Sequence, residues 1–228
     1  MAKALLPLLF FISAFSLHAQ TIVVEPFLQH AEPTQMVVVW ETNTGGSSEV
    51  RYGVTDTLGL VANGASVTGN GTSKIHTVWL GGLQPGTRYY YRVATDSTVS
   101  TLYHFQTPAL ASAEFPTGIV AMSDMQRDGA NPTKFSQVIN NGVLQYFSDS
   151  IPGDLADNLQ MVVIPGDLVD NGNDYLQWEQ TFFDPGQPLF SYVPVYPVLG
   201  NHEANTPSYF KYFTLPDNGT PGYEEHWW

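Results

Sequence analysis

The chain has 228 residues, room for one large domain or two small ones, and a net charge of −13 from 21 Asp and Glu against 8 Lys and Arg. With so few cations to neutralise phosphates, this balance argues against a nucleic-acid-binding surface. Cysteine is absent, which excludes disulfides, cysteine nucleophiles and thiolate metal sites; any metal must sit on oxygen and imidazole ligands. In chain order, residues 1–19 read first as a signal peptide. Lys3 gives a positive start, 4–17 a short apolar run, and Ala19 before Gln20 a cleavage point. The run is short for a bilayer span, and no later stretch is long and apolar enough for a transmembrane helix. The expectation is therefore an exported protein: periplasmic, surface-bound or secreted.

Residues 20–108 alternate short apolar runs with turn signals. The runs are 22–28, 35–41, 49–54, 74–80, 88–94 and 98–107, separated by Gly-, Asn- and Pro-containing turns. This spacing predicts an all-β sandwich. Aromatic stripes in its strands are read as core, and no site is assigned to them. Residues 109–116 read as a linker. From 117 the pattern changes: apolar runs at 117–123, 159–165 and 192–199 are separated by helical patterns at 131–148 and 174–183. Alternation of this kind predicts an α/β sheet in 117–228.

Each apolar run of the second half ends in a polar event. The first delivers Asp124, the second Gly166-Asp167, and the third Gly200-Asn201-His202-Glu203. In open α/β sheets, ligands bind beyond the carboxyl ends of the strands, so these side chains converge on one crevice. Alone, Asp124 reads equally as a helix cap, Asp167 as a turn residue and His202 as a surface imidazole. The case rests on the set.

Two resemblances follow from these residues. The segment Gly82-Leu83-Gln84-Pro85-Gly86-Thr87-Arg88-Tyr89-Tyr90-Tyr91-Arg92-Val93, with Phe105-Gln106-Thr107-Pro108, resembles the later strands of a fibronectin type III domain. With Glu25-Pro26-Phe27-Leu28-Gln29 at its start, the first half resembles the N-terminal domain of purple acid phosphatases. Asp124, Gly166-Asp167-Leu168-Val169-Asp170 and Gly200-Asn201-His202-Glu203 resemble the first three blocks of calcineurin-like metallophosphoesterases.

The resemblance implies hydrolysis of a small phosphate ester at a dinuclear metal site by a metal-bound hydroxide. It implies that Asp167 bridges two metals, Asp124 binds the first and Asn201 the second. His202 then assists the leaving oxygen as the catalytic residue, and Glu203 orients His202 from behind. Iron, zinc, manganese and magnesium all remain open, and the oligomeric state is unknown. Two positions depart from the family pattern: Gln126 stands where many relatives have His, and Asp170 where purple acid phosphatases have their colour-giving Tyr. Asp170 is an oxygen ligand or a structural residue, and no purple colour is expected.

The resemblance further implies that 117–228 is the N-terminal part of its domain, with the remaining histidine ligands beyond residue 228. The ending Tyr223-Glu224-Glu225-His226-Trp227-Trp228 reads as a strand cut in mid-course, and His226 is not counted as a ligand. Two other readings stay open: a phosphodiesterase or nucleotidase of the same superfamily, and a non-catalytic sandwich module with a phosphatase-like remnant.

Overall fold

The computed structural model describes residues 19–114 and 116–228. The expected signal peptide therefore lies, apart from Ala19, outside the described residues. No described helix is long and apolar enough to cross a membrane.

The first half contains β1 (Ile22–Glu32), β2 (Gln35–Thr42), β3 (Glu49–Gly53), β4 (Leu60–Asn63), β5 (Ala65–Thr68), β6 (Lys74–Gly81), β7 (Arg88–Thr95), β8 (Thr98–Val99) and β9 (Tyr103–Gln106). They form two antiparallel sheets, one ordered β1-β2-β6-β5 and the other built from β4, β3 and β7, with β8 and β9 both pairing β7. This is the β-sandwich that the turn spacing predicts. Gly64 carries the chain from one sheet to the other; a Cβ there would lie 2.0 Å from the Thr77 carbonyl oxygen. Tyr89 closes the corner before β7, its hydroxyl accepting from the Gln84 N–H at 3.0 Å.

β2 explains how the halves join. Its residues Met36, Val38 and Trp40 point into the sandwich core beside Leu28, Val78 and Tyr91. Val37 and Val39 face the other way, and with Val24, Phe27 and Ile75 they belong to the core of the second half. A strand apolar on both faces is buried on both faces, as in a covered sheet. Phe27 stacks at 4.7 Å from Phe183, and polar contacts frame the seam. The Gln29 side chain donates to Tyr212 O at 2.8 Å and accepts from Thr214 N at 2.7 Å. Tyr91 donates to Ser191 O at 2.8 Å. At one end His104 meets Asp154 at 2.9 Å, and Arg88 pairs with Asp157.

The second half has three parallel strands in the order β10 (Ile119–Ala121), β11 (Met161–Ile164) and β12 (Val195–Pro197). Helical residues 134–150 connect β10 to β11, with a π-helical stretch, Val138–Leu144, in the middle. A second helical run, 175–190, connects β11 to β12 and also contains a π-helical stretch, Trp178–Phe183. Asp174 caps its start by accepting from Leu176 N at 3.1 Å. Both crossovers thus come from helices packed on a parallel sheet, the α/β arrangement expected.

Several elements differ from the sequence reading. β4 and β5 are absent from it because both are short, largely exposed edge strands without apolar alternation. The expected 98–107 strand divides into β8 and β9. The second helix was expected to stop at 183 but runs on to Phe190 through Pro185 and Pro188. Burial of Leu189 and Phe190 outweighs the breaker signal. Short helices at Leu155–Asn158 and Pro207–Tyr212 were also unforeseen. Residues 223–228 form turns rather than a strand; Trp228 packs 4.9 Å from Tyr196 and donates to Pro197 O at 3.2 Å.

Candidate functional site

The three parallel strands point their carboxyl ends the same way, and Asp124, Asp167 and Asn201 each follow one of them. Asp124 and Asp167 have φ of 57° and 55°, in the left-handed region that a non-glycine residue seldom occupies. Two such residues at matching strand ends mark a place where position has been favoured over backbone ease. The loops touch: Gln126 N donates to Asp167 O at 3.2 Å, and Met122 N to Val163 O at 3.1 Å.

Two glycines make the second and third loops fit. Gly166 has φ of 95°, and a Cβ on it would lie 2.7 Å from Gly200 Cα. A Cβ on Gly200 would lie 2.2 Å from Asp167 Oδ1 and 2.3 Å from Asp167 N. The β11 and β12 turns therefore pack backbone against backbone, which only glycine allows.

Glu203 is the clamp between them. It is fully buried. Its Oε1 accepts from Leu168 N at 2.7 Å and Val169 N at 3.2 Å. Its Oε2 accepts from Gly200 N at 2.7 Å and Asp167 N at 3.0 Å. Four backbone donors consume the carboxylate, so Glu203 sets the loops rather than gripping the His202 ring. The ring is held by Asp170 instead: His202 Nδ1 donates to the Asp170 carbonyl at 2.7 Å, with the Asp170 carboxylate 3.7 Å away. That hydrogen bond, aided by the charges of Asp167 and Asp170, raises the His202 pKa. Among the described residues, Nε2 has no hydrogen-bond partner. His202 N donates to Asp167 Oδ1 at 3.2 Å, which orients the Asp167 carboxylate.

Asp124 and Asn201 are exposed, and Asp167 is half-buried. Ser123 Oγ donates to Asp124 Oδ2. Beside Asp124, the side-chain oxygen of Gln126 is buried with no hydrogen-bond partner. An orphaned acceptor among carboxylates suits a cation rather than an anion. The oxygen set Asp124, Asp167, Asn201 and Gln126 thus fits a hard or borderline metal in donor chemistry. It fills a shell only in part: among the described residues no group of three or more His, Cys, Asp or Glu is gathered closely enough to hold a metal ion. Gln126 is the residue that spacing alone did not nominate; its signal was its place two residues after Asp124.

Comparison with known proteins agrees with this geometry half by half. Residues 24–107 match the family model "Purple acid Phosphatase, N-terminal domain", and residues 118–227 match "Calcineurin-like phosphoesterase". The chain is a purple acid phosphatase-like member of the calcineurin-like phosphoesterases. A curated relative, the "Probable inactive purple acid phosphatase 24" of Arabidopsis thaliana, is 31% identical over 152 residues, covering 63% of this chain and 24% of that protein. This chain thus spans about a quarter of the length of that relative. Among solved structures, PhoD superposes with a TM-score of 0.52 at 10% identity, over 79% of this chain and 39% of that one. At that identity the likeness concerns the fold. The sensor domain of the anti-sigma factor RsgI4 from Pseudobacteroides cellulosolvens is also similar, at 18% identity and a TM-score of 0.33, over 42% of this chain and 100% of that one. The members of this phosphoesterase family generally use a dinuclear metal centre.

Proposed function

We propose that this purple acid phosphatase-like chain serves metal-dependent hydrolysis of small phosphate monoesters, outside the cytoplasm if residues 1–19 act as the signal they resemble. One observation carries the reading: three adjacent parallel strands deliver Asp124, Asp167 and Asn201-His202 to the same sheet edge. In this reading Asp167 would be shared by two metals, Asp124 would help hold the first and Asn201 the second, and Gln126 would add an oxygen beside Asp124. Bound metal supplies charge neutralisation for the phosphoryl oxygens and acidifies water.

The chain's own residues do the rest. Hydrolysis joins a water oxygen to phosphorus and breaks the P–O ester bond, and the departing oxygen takes up a proton. His202, anchored at Nδ1 by Asp170, presents its free Nε2 as the group that supports that oxygen. Glu203 keeps the β11 and β12 loops in register so that Asp167 and His202 hold their spacing.

A second reading, a phosphatase-like domain without turnover, is favoured by the partial donor set among the described residues. Hydrolysis of p-nitrophenyl phosphate by the protein loaded with iron, zinc, manganese or magnesium separates the two. Turnover with at least one metal, and a loss of about a hundredfold or more in Asp167→Asn, is expected. No turnover with any of them favours the second reading.

A further inference from the structure

Cations are scarce in this chain, and most are spent. Among the described residues, Arg51, Arg88, Arg92, Lys74 and Lys211 each hold a hydrogen bond or ion pair. Among the same described residues Arg127 and Lys134 hold neither, although the charge of Lys134 acts on Asp128. Both line one groove of about 340 Å³, between the loop after β10 and the 175–190 helical run. That groove shares Met125, Gln126, Lys134 and Phe135 with a smaller pocket of about 220 Å³ that contains Asp124. The groove therefore adjoins the candidate metal site on its Asp124 side.

Two acids also line it. The Asp128 carboxylate accepts from Asn131 Nδ2 at 2.9 Å and Ala130 N at 2.8 Å, and these bonds, with the charge of Lys134, hold its pKa below the ordinary carboxylate value. Asp184 lies at the far end, where burial raises its pKa and so disfavours its charge. Arg127 and the Lys134 ammonium thus face the groove with Asp128 and Asp184, Arg127 being the cation that no carboxylate among the described residues engages, in a molecule whose net charge is −13. Free cations beside a strongly acidic protein's reaction site have a clear use: they give a polyanionic ester a local foothold that the rest of the surface denies.

We propose that Arg127 and Lys134 form a specificity subsite for a second anionic group, phosphate or carboxylate, on the phosphate ester whose reacting phosphate sits at Asp124 and Asp167. This rests on the hydrolase reading above. The substrates it selects are small doubly anionic organic phosphates, such as sugar bisphosphates or phosphorylated hydroxy acids, rather than simple neutral-tailed monoesters.

The test compares two matched pairs at low ionic strength, where exposed charges are least screened. Fructose bisphosphate against fructose monophosphate isolates a second phosphate; phosphoglycerate against glycerol phosphate isolates a carboxylate. The protein should favour the doubly anionic member of at least one pair by about tenfold in kcat/KM. The Arg127→Gln/Lys134→Gln double variant should lose that preference, and Arg127→Lys with Lys134→Arg should keep it. Which pair responds identifies the second group. No preference in the unmodified protein, or a preference retained by the double variant, overturns the proposal.

If none of the four esters is hydrolysed, the hydrolase reading fails by itself. Calorimetric binding of fructose bisphosphate then decides the subsite. About tenfold tighter binding by the unmodified protein than by the double variant supports it, and equal binding overturns it.

Discussion

At the scale of single residues, Glu203 carries the most structural weight in the candidate site. A buried carboxylate that accepts four backbone N–H groups is a strong, charge-assisted acceptor with no spare valence. Glu203→Gln swaps one acceptor oxygen for an NH2 group that faces donors. The loss should be about 3 kcal/mol or more, read as a fall in Tm of about 10 °C. A Tm shift of under about 2 °C contradicts the clamp. The motif around Glu203 was legible in the sequence, since Gly200-Asn201-His202-Glu203 after an apolar run is specific. Its partners were not, because they are backbone groups, three of the four from a loop some 35 residues earlier, and backbone groups carry no residue code. The Arg127 and Lys134 pair escaped notice for a similar reason: only the fold shows which cations remain unspent.

At the scale of elements, β2 and β6 bring a histidine into the sandwich core. His76 is fully buried, stacks on Trp40 at 4.8 Å and meets Thr42 and Ser48 hydroxyls at 2.8 Å each. Burial lowers its pKa from the ordinary 6.5 to about 4. The unfolded chain therefore takes up a proton near 6.5, and the folded protein only near 4. Stability from this group is complete above pH 6.5 and is lost as pH falls toward 4. Urea titrations across that window should show a steeper loss for the unmodified protein than for His76→Gln; parallel curves contradict the assignment.

Element patterns were readable where burial wrote them. The run 35–41 announced a strand, and residues 131–148 an amphipathic helix, observed at 134–150. Exposed β4 and β5, and the helix through Pro185 and Pro188, follow from tertiary neighbours that local pattern does not encode.

At the scale of the molecule, the two halves share one core. Val37, Val39 and Phe27 of the sandwich are buried against Phe183, Trp178 and Phe213 of the α/β half. A seam of that kind couples the halves. Calorimetry should show a single unfolding transition, and Phe27→Ala should cost about 3–5 kcal/mol across the whole molecule. Two separate transitions in the unmodified protein contradict this. The sequence showed two halves with different patterns, but not that the outer face of one sheet is a wall of the other half's core.

The architecture matters for function because the sandwich backs the α/β core, while the β10, β11 and β12 ends that present the site project from that core. In the proposed function these ends gather Asp124, Asp167 and Asn201 around metal. Metal content after dialysis, measured on the protein and on Asp167→Asn, tests it most directly. Bound iron, zinc, manganese or magnesium is expected in the first, and its loss in the second. Equal metal content in both, or none in the unmodified protein, contradicts it.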